Sequence, residues 1–216
     1  MIETTVVGIS FSPRSESTEY TVKRALAAAQ RVPDTTVKFV STKGKKIGHC
    51  IDCGACLRNN SHCVLQDDFL EILEVYTSGD GIVVGSPVYG MNGSPTMYCF
   101  HSRLRSYFSK PGKADEFYYK VGGAIAVGGS RHGGQEMVLL AIRNYYLAAS
   151  MMVVGGPLHN YSGAAVWSDD GGAIGAEQDT IGMEKAEKLG YSVAVAAKIS
   201  RIGKDAFLTD GTALSI

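Results

Sequence analysis

Short apolar segments alternate with longer amphipathic ones along the chain. The first segment, Thr4–Ser10 (TTVVGIS), is rich in β-branched residues, as expected of a strand buried in a sheet. Residues 16–31 then carry apolar side chains at helical intervals, and Pro33 follows them. Residues 36–41 (TVKFVS) alternate again as a strand does. The chain therefore begins with a predicted strand, helix and strand.

The same alternation continues through the rest of the chain. Three nearly continuous apolar runs predict strands of the kind covered on both faces, at residues 80–87, 120–129 and 151–156. Helical spacing predicts four further helices, from Asp67 or Asp68 to Tyr76 and at 94–109, 134–149 and 177–200. Five strands with intervening helices predict an α/β fold with a doubly wound five-stranded parallel sheet.

No linker, repeat or low-complexity segment divides the 216 residues. We therefore expect one domain over residues 1–200, with a cysteine-rich loop at 44–66 after the second strand and a C-terminal tail at 201–216. Acidic and basic residues balance at 21 each, which gives no electrostatic basis for binding nucleic acid or a charged membrane. The apolar runs are shorter than the roughly 20 residues that a membrane helix needs. The chain shows no secretory signal pattern, so we expect a cytoplasmic protein.

Four of the five cysteines lie close together, spaced C-x2-C-x2-C-x6-C. They are Cys50, Cys53, Cys56 and Cys63. Soft metal centres prefer thiolate ligands, and successive x2 steps are typical of a [4Fe–4S] cluster. Zinc ribbons usually separate two C-x2-C pairs by a dozen or more residues, so zinc is the second interpretation and disulfides the third. Cys99 lies in an apolar helical stretch, where we expect a small buried hydrophobe.

Three loops at the carboxyl ends of predicted strands have unusual composition, and ligands of such sheets bind beyond these ends. Residues 10–18 (SFSPRSEST) offer hydroxyls, a guanidinium and the amides of a helix start, which suit a phosphate monoester. Residues 85–95 (GSPVYGMNGSP) offer flat apolar side chains, and residues 127–136 (VGGSRHGGQE) combine glycine pairs with an arginine. Neither a Walker phosphate loop nor G-x-G-x-x-G is present. Each loop alone is also compatible with an ordinary turn.

With these motifs in place, the chain resembles the iron–sulfur flavoproteins within the flavodoxin-like NAD(P)H-dependent FMN reductases. The resemblance rests on the serine–proline–arginine loop with STEY (17–20), the cysteine run, SPVYG (86–90) and GGQE (133–136). It covers about residues 3–198, nearly the whole chain, in the same order. Phe11 stands where relatives often have glycine.

The resemblance implies FMN in the crevice at the strand ends and a [4Fe–4S] cluster on the four clustered cysteines. It implies that the FMN phosphate is held by Ser10, Ser12, Arg14, Ser17 and Thr18. It implies that the isoalloxazine is surrounded by Pro87, Val88, Tyr89, Gly90, Met91, Gly128, Gly129, Arg131 and Gly134. Relatives form dimers and tetramers, so a homodimer or homotetramer is expected here.

These features predict an oxidoreductase that passes electrons between a one-electron donor or NAD(P)H and a small acceptor through the cluster and FMN. Ferredoxin or NAD(P)H is the expected donor, and a small molecule is the expected acceptor. No catalytic residue is identified by the sequence. Two alternatives remain open: an FMN-dependent dehydrogenase of one biosynthetic metabolite, and a zinc-stabilised flavodoxin-like protein that is not an enzyme.

Overall fold

The computed structural model describes residues 2–209 and has a parallel sheet between two layers of helices. The strands are β1 (Thr4–Ser10), β2 (Thr35–Ser41), β3 (Gly81–Pro87), β4 (Val121–Gly128), β5 (Met152–Val153) and β6 (Ala164–Trp167). The helices are α1 (Ser17–Ala29), α2 (Ala55–Arg58), α3 (Phe69–Ser78), α4 (Pro95–Arg103), α5 (Arg105–Phe108), α6 (Gln135–Ala148), α7 (Gly172–Gln178) and α8 (Thr180–Thr209). A 3-10 helix, Asp115–Tyr119, precedes β4.

The strands lie in the order β2-β1-β3-β4, and both β5 and β6 pair with β4. Every pairing is parallel. Val121 of β4 pairs with Met152 of β5, and further along the same edge Ile125 pairs with Ala164 of β6. Among residues 2–209 the sheet thus has six strands in five positions, because β5 and β6 share one edge of β4. This confirms the doubly wound parallel architecture, although the sequence analysis missed β6.

The last predicted strand, 151–156, is paired over only two residues, Met152–Val153. One more hydrogen bond, from Val154 N to the carbonyl of Gly122 (3.0 Å), follows the pairing. Gly156 then adopts φ +102°, outside the extended region, so the strand cannot continue. The chain leaves the edge of β4 and returns to it as β6.

The sheet has a buried core on each face because successive side chains of a strand point to opposite sides. Val7 of β1 packs with residues of α3, α4 and α6, whereas its neighbour Val6 packs with residues of α1 and α8. All eight residues of β4 are buried, as its continuous apolar sequence predicts for a parallel strand covered on both faces. The sheet, whose carboxyl edge carries the three loops singled out in the sequence, is therefore packed on both faces.

Two predicted helices are each divided in the structure. The helix expected over 94–109 breaks at Leu104 into α4 and α5. Its start agrees with the sequence, because the Ser94 hydroxyl accepts a hydrogen bond from Met97 N (3.3 Å) and Pro95 occupies the first helical position. The break places neighbouring side chains of α4 and α5 against the cysteine-rich loop, as described below.

The final helix begins with a separate short segment, α7, and then runs as α8 to Thr209. Asp179 lies between the two, and its carboxylate accepts a hydrogen bond from Gly182 N (3.1 Å) in the first turn of α8. The predicted end at Ser200 is wrong. The predicted tail of 201–216 thus starts within α8, and residues 210–216 lie outside the described residues. None of the helices in the described part is both long and apolar enough to cross a membrane.

Candidate cofactor-binding sites

The loops after β1 and β3 run side by side at the carboxyl edge of the sheet. Phe11 N donates a hydrogen bond to the carbonyl of Gly85 (2.8 Å), and Val88 N donates to the carbonyl of Val127 (3.0 Å). These bonds continue the strand pairing beyond the strand ends, so the three predicted binding loops meet at one edge. Phe11 itself is buried and packs on the Phe100 ring, with centroids 5.4 Å apart. Its side chain belongs to the core under the first loop.

The first loop folds back on its own hydroxyls. Ser12 N donates to the Ser10 hydroxyl (3.4 Å), and Arg14 N donates to the Ser12 hydroxyl (3.2 Å). Four of the five predicted phosphate-binding residues are buried: Ser10, Ser12, Ser17 and Thr18. Arg14 is exposed. The N-cap residue of α1, Glu16, makes no capping hydrogen bond with its side chain, so the first amides of the helix keep donors for an anion.

The second loop makes a tight turn that points outward. Tyr89 N donates to the carbonyl of Asn92 (2.7 Å), and Asn92 N donates to the carbonyl of Tyr89 (2.9 Å). The two residues between them, Gly90 and Met91, have φ of +53° and +66°, as in a type I′ turn. Met91 is unusual as a non-glycine residue in this conformation. The turn leaves the side chains of Tyr89 and Met91 exposed at the binding edge.

The third loop approaches the second so closely that only glycine fits. Gly134 has φ +112°, and a Cβ there would overlap the backbone of Met91. The next residue, Gln135, is 4% exposed and donates from Nε2 to the carbonyl of Ser130 (2.7 Å). Its Oε1 is buried without a hydrogen-bond partner. A buried unpaired acceptor is unfavourable, so a ligand N–H at this position would be stabilised. Gln135 was not among the predicted site residues, although it directly follows the glycine pair Gly133–Gly134.

The loop after β6 adds a fourth segment to the same edge. Ser168 N donates to the carbonyl of Gly128 (2.9 Å). The carboxylate of Asp170 occupies the space beside Gly129 that a Cβ would fill. Asp169 and Asp170 both have positive φ, at +46° and +52°, which is the conformation of a tight turn. The sequence predicts a turn at Asp169 and Asp170, which the structure confirms, but its position at this edge was not predicted because β6 was not predicted.

Arg131 packs on an aromatic ring of this added segment. Its guanidinium carbon lies 3.9 Å from the centroid of the Trp167 ring. The Trp167 Nε1 donates to the carbonyl of Gly129 (2.8 Å), so the indole is fixed to the loop that carries Arg131. The structure therefore gives Arg131 a defined position beside two of the predicted isoalloxazine residues, Gly128 and Gly129.

The cysteine-rich loop brings four thiols to one pocket. The four cysteines among its lining residues are Cys50, Cys53, Cys56 and Cys63. All five cysteines lie within the described residues, where each is free and none forms a disulfide. Within residues 2–209, no three His, Cys, Asp or Glu side chains are arranged to hold a single metal ion. Cys99 is half-buried on α4 and does not line the pocket. A shared pocket with four sulfur donors matches the ligand set of an iron–sulfur cluster.

A fully buried arginine, missed by the sequence analysis, forms part of the pocket wall. The Arg103 side chain is 0% exposed, and its Nη1 lies 2.5 Å from Oδ2 of Asp67. Nη1 also donates to the carbonyl of Gly48, and Nη2 donates to the carbonyl of Leu65, both at 3.3 Å. Gly48 precedes the first cysteine of the run and Leu65 follows the last. One guanidinium therefore joins the two ends of the cysteine segment.

Asp67 is held in its charged form by this arrangement. Its Oδ2 also accepts from Gly48 N (2.8 Å), and its Oδ1 accepts from Phe69 N (3.1 Å) at the start of α3. Burial alone would raise the pKa of Asp67, but the hydrogen bonds from Arg103, Gly48 and Phe69 outweigh burial and lower the pKa. Asp67 rather than Asp68 therefore provides the side-chain hydrogen bond to the first turn of α3.

The cysteine segment also contacts α4 and α5 at their junction. Cys50 N donates to the Ser102 hydroxyl (3.1 Å), which in turn donates to the carbonyl of Cys99 (2.7 Å). Arg105 forms an ion pair with Asp52 on the opposite side of the junction, and its side chain is 48% exposed. The segment is thus attached both through a buried pair and through a solvent-exposed one.

Comparisons with known proteins agree with this geometry. Residues 4–164 match the family described as NADPH-dependent FMN reductase. An iron–sulfur flavoprotein of Methanocaldococcus jannaschii is 40% identical over 200 residues, which are 90% of this chain and 97% of the relative. The chain belongs to the iron–sulfur flavoprotein family. A second such protein of the same organism is 35% identical over 184 residues, covering 85% of this chain and 91% of the relative.

Solved structures support the fold of this flavoprotein. The flavodoxin, WrbA-like protein from Agrobacterium tumefaciens aligns with a TM-score of 0.61 at 16% identity, covering 92% of this chain and 99% of that one. At this identity the comparison shows the fold, which is flavodoxin-like as predicted. Family membership makes the flavoprotein an FMN-dependent oxidoreductase, which confirms the predicted enzyme class.

Proposed function

We propose that this flavoprotein passes electrons between a one-electron donor or NAD(P)H and a small acceptor, using FMN and a [4Fe–4S] cluster. The observation that carries the proposal is that four free thiols line one pocket in a chain of this family. When bound, the cluster would exchange single electrons and FMN one or two, so together they would link one-electron and two-electron chemistry.

The first loop is our proposed site for the FMN phosphate. Its assigned residues are Ser10, Ser12, Arg14, Ser17 and Thr18. Buried hydroxyls next to a helix start without a side-chain cap provide neutral donors for the anion, and the exposed Arg14 adds a positive charge in the same loop. The loop chemistry therefore fits a phosphate monoester.

The second and third loops are our proposed site for the isoalloxazine. The assigned residues are Pro87, Val88, Tyr89, Gly90, Met91, Gly128, Gly129, Arg131 and Gly134. To these we add Gln135, whose Oε1 is a buried acceptor without a hydrogen-bond partner. An N–H group of the ring would donate a hydrogen bond to this oxygen. The outward turn at Gly90 and Met91 offers the apolar surface that a flat ring system needs.

The four cysteines of the shared pocket are our proposed cluster ligands. A set of four thiolates is the usual ligand set of a [4Fe–4S] cluster, and zinc accepts the same number. The buried cation of Arg103 lines this pocket, where it would offset part of the negative charge of a thiolate-bound centre. Composition analysis separates the two metals.

Ferredoxin or NAD(P)H is our proposed donor, and a small molecule is the proposed acceptor. Within the described residues, the thiol pocket shares no lining residue with the three FMN loops. We also propose a homodimer or homotetramer, as the resemblance to the family implies. Exposed apolar residues such as Leu158 (86% exposed) would be covered by such contacts. Five free cysteines suit the reducing cytoplasm, where we place the protein.

Metal and flavin analysis of anaerobically purified protein tests this function. We expect about four iron atoms and about four acid-labile sulfides per chain, as a [4Fe–4S] cluster requires, together with one FMN. One zinc per chain without sulfide would overturn the cluster and favour the non-enzymatic alternative. Iron and sulfide with no affinity for FMN would overturn the assignment of the loops.

A further inference from the structure

A buried cation on the wall of the thiol pocket requires a physical explanation. Arg103 is 1% exposed, and it lines the pocket together with the four cysteines. Removing a guanidinium from water is unfavourable unless its charge is paired and its N–H groups are bonded. Asp67 supplies the compensating negative charge, and two backbone carbonyls accept further hydrogen bonds from the guanidinium. The Nε hydrogen has no acceptor, so one buried donor of this residue remains unused.

The position of the two carbonyls gives Arg103 a mechanical role. They belong to Gly48 and Leu65, on either side of the cysteine run. Between these points the segment has one short helix, Ala55–Arg58, and no strand. Because the segment contains so little regular structure, the planar Arg103 guanidinium, which donates hydrogen bonds to both of its ends, strongly restricts the separation of those ends.

The orientation of the ion pair gives Arg103 an electrostatic role as well. Arg103 lines the thiol pocket and Asp67 does not. The positive member of the pair is therefore the one presented to the thiols. Since the Arg103 side chain is fully buried, neither water nor dissolved salt screens its charge effectively. Arg105 also lines the pocket, but it is half-exposed and paired with Asp52 at the surface.

We propose that Arg103 is a positioning residue of the iron–sulfur site, which closes the cysteine segment at Gly48 and Leu65 and raises the reduction potential of the cluster. The inference rests on the proposed function, because it requires a cluster on the four cysteines. Reduction adds negative charge to a thiolate-bound cluster, so a fixed cation beside it favours the reduced state. Asp67 opposes this effect by compensating the cation.

Charge-removing variants of the holoprotein test the proposal. The midpoint potential of the cluster is measured by redox titration followed by electron paramagnetic resonance. Arg103→Gln should lower the potential and Asp67→Asn should raise it, and the double variant should lie between them. Arg105→Gln is the matched control: it removes a cation from the same pocket, but its shift should be smaller and should shrink at high salt.

A purely structural role predicts a different pattern. If Arg103 only holds the loop, the variants lose cluster but the potential of the remaining cluster does not shift in opposite directions. Single variants that shift the potential in the same direction, or by no more than Arg105→Gln does, would overturn the inference. Wild-type protein that contains iron and sulfide would at the same time leave the proposed function intact. Wild-type protein without them would overturn both.

If Arg103→Gln does not fold, two milder variants test whether Arg103 both closes the cysteine segment and raises the reduction potential. Arg103→Lys keeps the charge but loses the planar fork. We expect its potential to stay near that of the wild type, while iron is released to a chelator several times faster. Asp67→Asn should still raise the potential. An unchanged potential in Asp67→Asn, or an unchanged rate of iron release in Arg103→Lys, would contradict the proposal.

Discussion

Gly134 lies against the backbone of Met91, with no room for a Cβ between them. The loops after β3 and β4 are therefore in direct backbone contact at the edge where we place the isoalloxazine. Gly134 also has φ +112°, a conformation that side chains disfavour. Any residue larger than glycine must separate the two loops and strain the start of α6.

Gly134→Ala should weaken FMN binding by about tenfold or more, since a displacement of the loops disturbs several contacts at once. FMN affinity is measured by quenching of flavin fluorescence. Gly112→Ala is the matched control, because Gly112 also has positive φ (+73°) but no atom lies near its missing Cβ. The control should lose some stability and keep its FMN affinity. Equal losses of affinity in the two variants would show that general destabilisation, and not the contact with Met91, is responsible.

Ser17→Ala should weaken the binding of FMN but not that of riboflavin, which lacks the phosphate. Ser17 is the buried first residue of α1, in the loop assigned to the phosphate. Loss of one hydrogen bond to a charged group is worth about 1.5–3 kcal/mol, or roughly 10- to 100-fold in affinity. Titration with both flavins measures the difference. A loss of the same size for riboflavin would place Ser17 at another part of the ligand.

Cys56→Ser should reduce the iron content of the purified protein below half of the wild-type value, because a [4Fe–4S] cluster needs four ligands. Cys99→Ser should keep its iron, since Cys99 lies on α4 and does not line the thiol pocket. Iron and acid-labile sulfide are counted in both. Iron loss from Cys99→Ser with retention in Cys56→Ser would reverse our ligand assignment.

His101 should make the fold less stable in mild acid. It is buried, its ring is stacked on Tyr145 with centroids 3.9 Å apart, and burial lowers its pKa from 6.5 to about 3. Below pH 6.5 the His101 side chain is therefore protonated in the unfolded chain but stays neutral in the folded chain. Between pH 7.5 and 5.5 this removes about 1.4 kcal/mol of unfolding free energy.

Urea unfolding of cofactor-free protein at these two pH values measures the effect. His101→Phe fills similar space without a titrating group and should lose about 1.4 kcal/mol of the pH dependence seen in the wild type. The comparison between the two proteins cancels the contribution of all other groups. The same pH dependence in wild type and variant would show that His101 does not titrate in this range.

Most of the sheet could be predicted because its strands have clear local signals. β1 lies at Thr4–Ser10, as its β-branched run predicts, and this strand delivers the serine-rich loop to the binding edge. β6 has only four residues, AAVW, in a glycine-rich region. It forms because β5 pairs with β4 over only two residues and leaves the rest of that edge free. No local sequence pattern indicates that β5 ends so early.

The buried arginine could not be predicted for a similar reason. Arg103 and Arg105 are two residues apart in an amphipathic stretch, and nothing in that stretch indicates which of them is buried. Arg103 is the buried one because it pairs with Asp67, which lies 36 residues earlier in the chain. The cysteine spacing is a local pattern and can be read from the sequence. The buried ion pair between Arg103 and Asp67 forms only in the folded chain.

Electron transfer between the cluster and FMN is the central claim, and rapid mixing with a one-electron reductant tests it most directly. Flavin absorbance is followed in anaerobic, FMN-loaded wild type and in Cys56→Ser. We predict that the flavin of the wild type is reduced at least about tenfold faster, because the cluster accepts the single electrons first. Equal rates in the two proteins, or a wild-type cluster that is reduced while its flavin stays oxidised, would contradict the account.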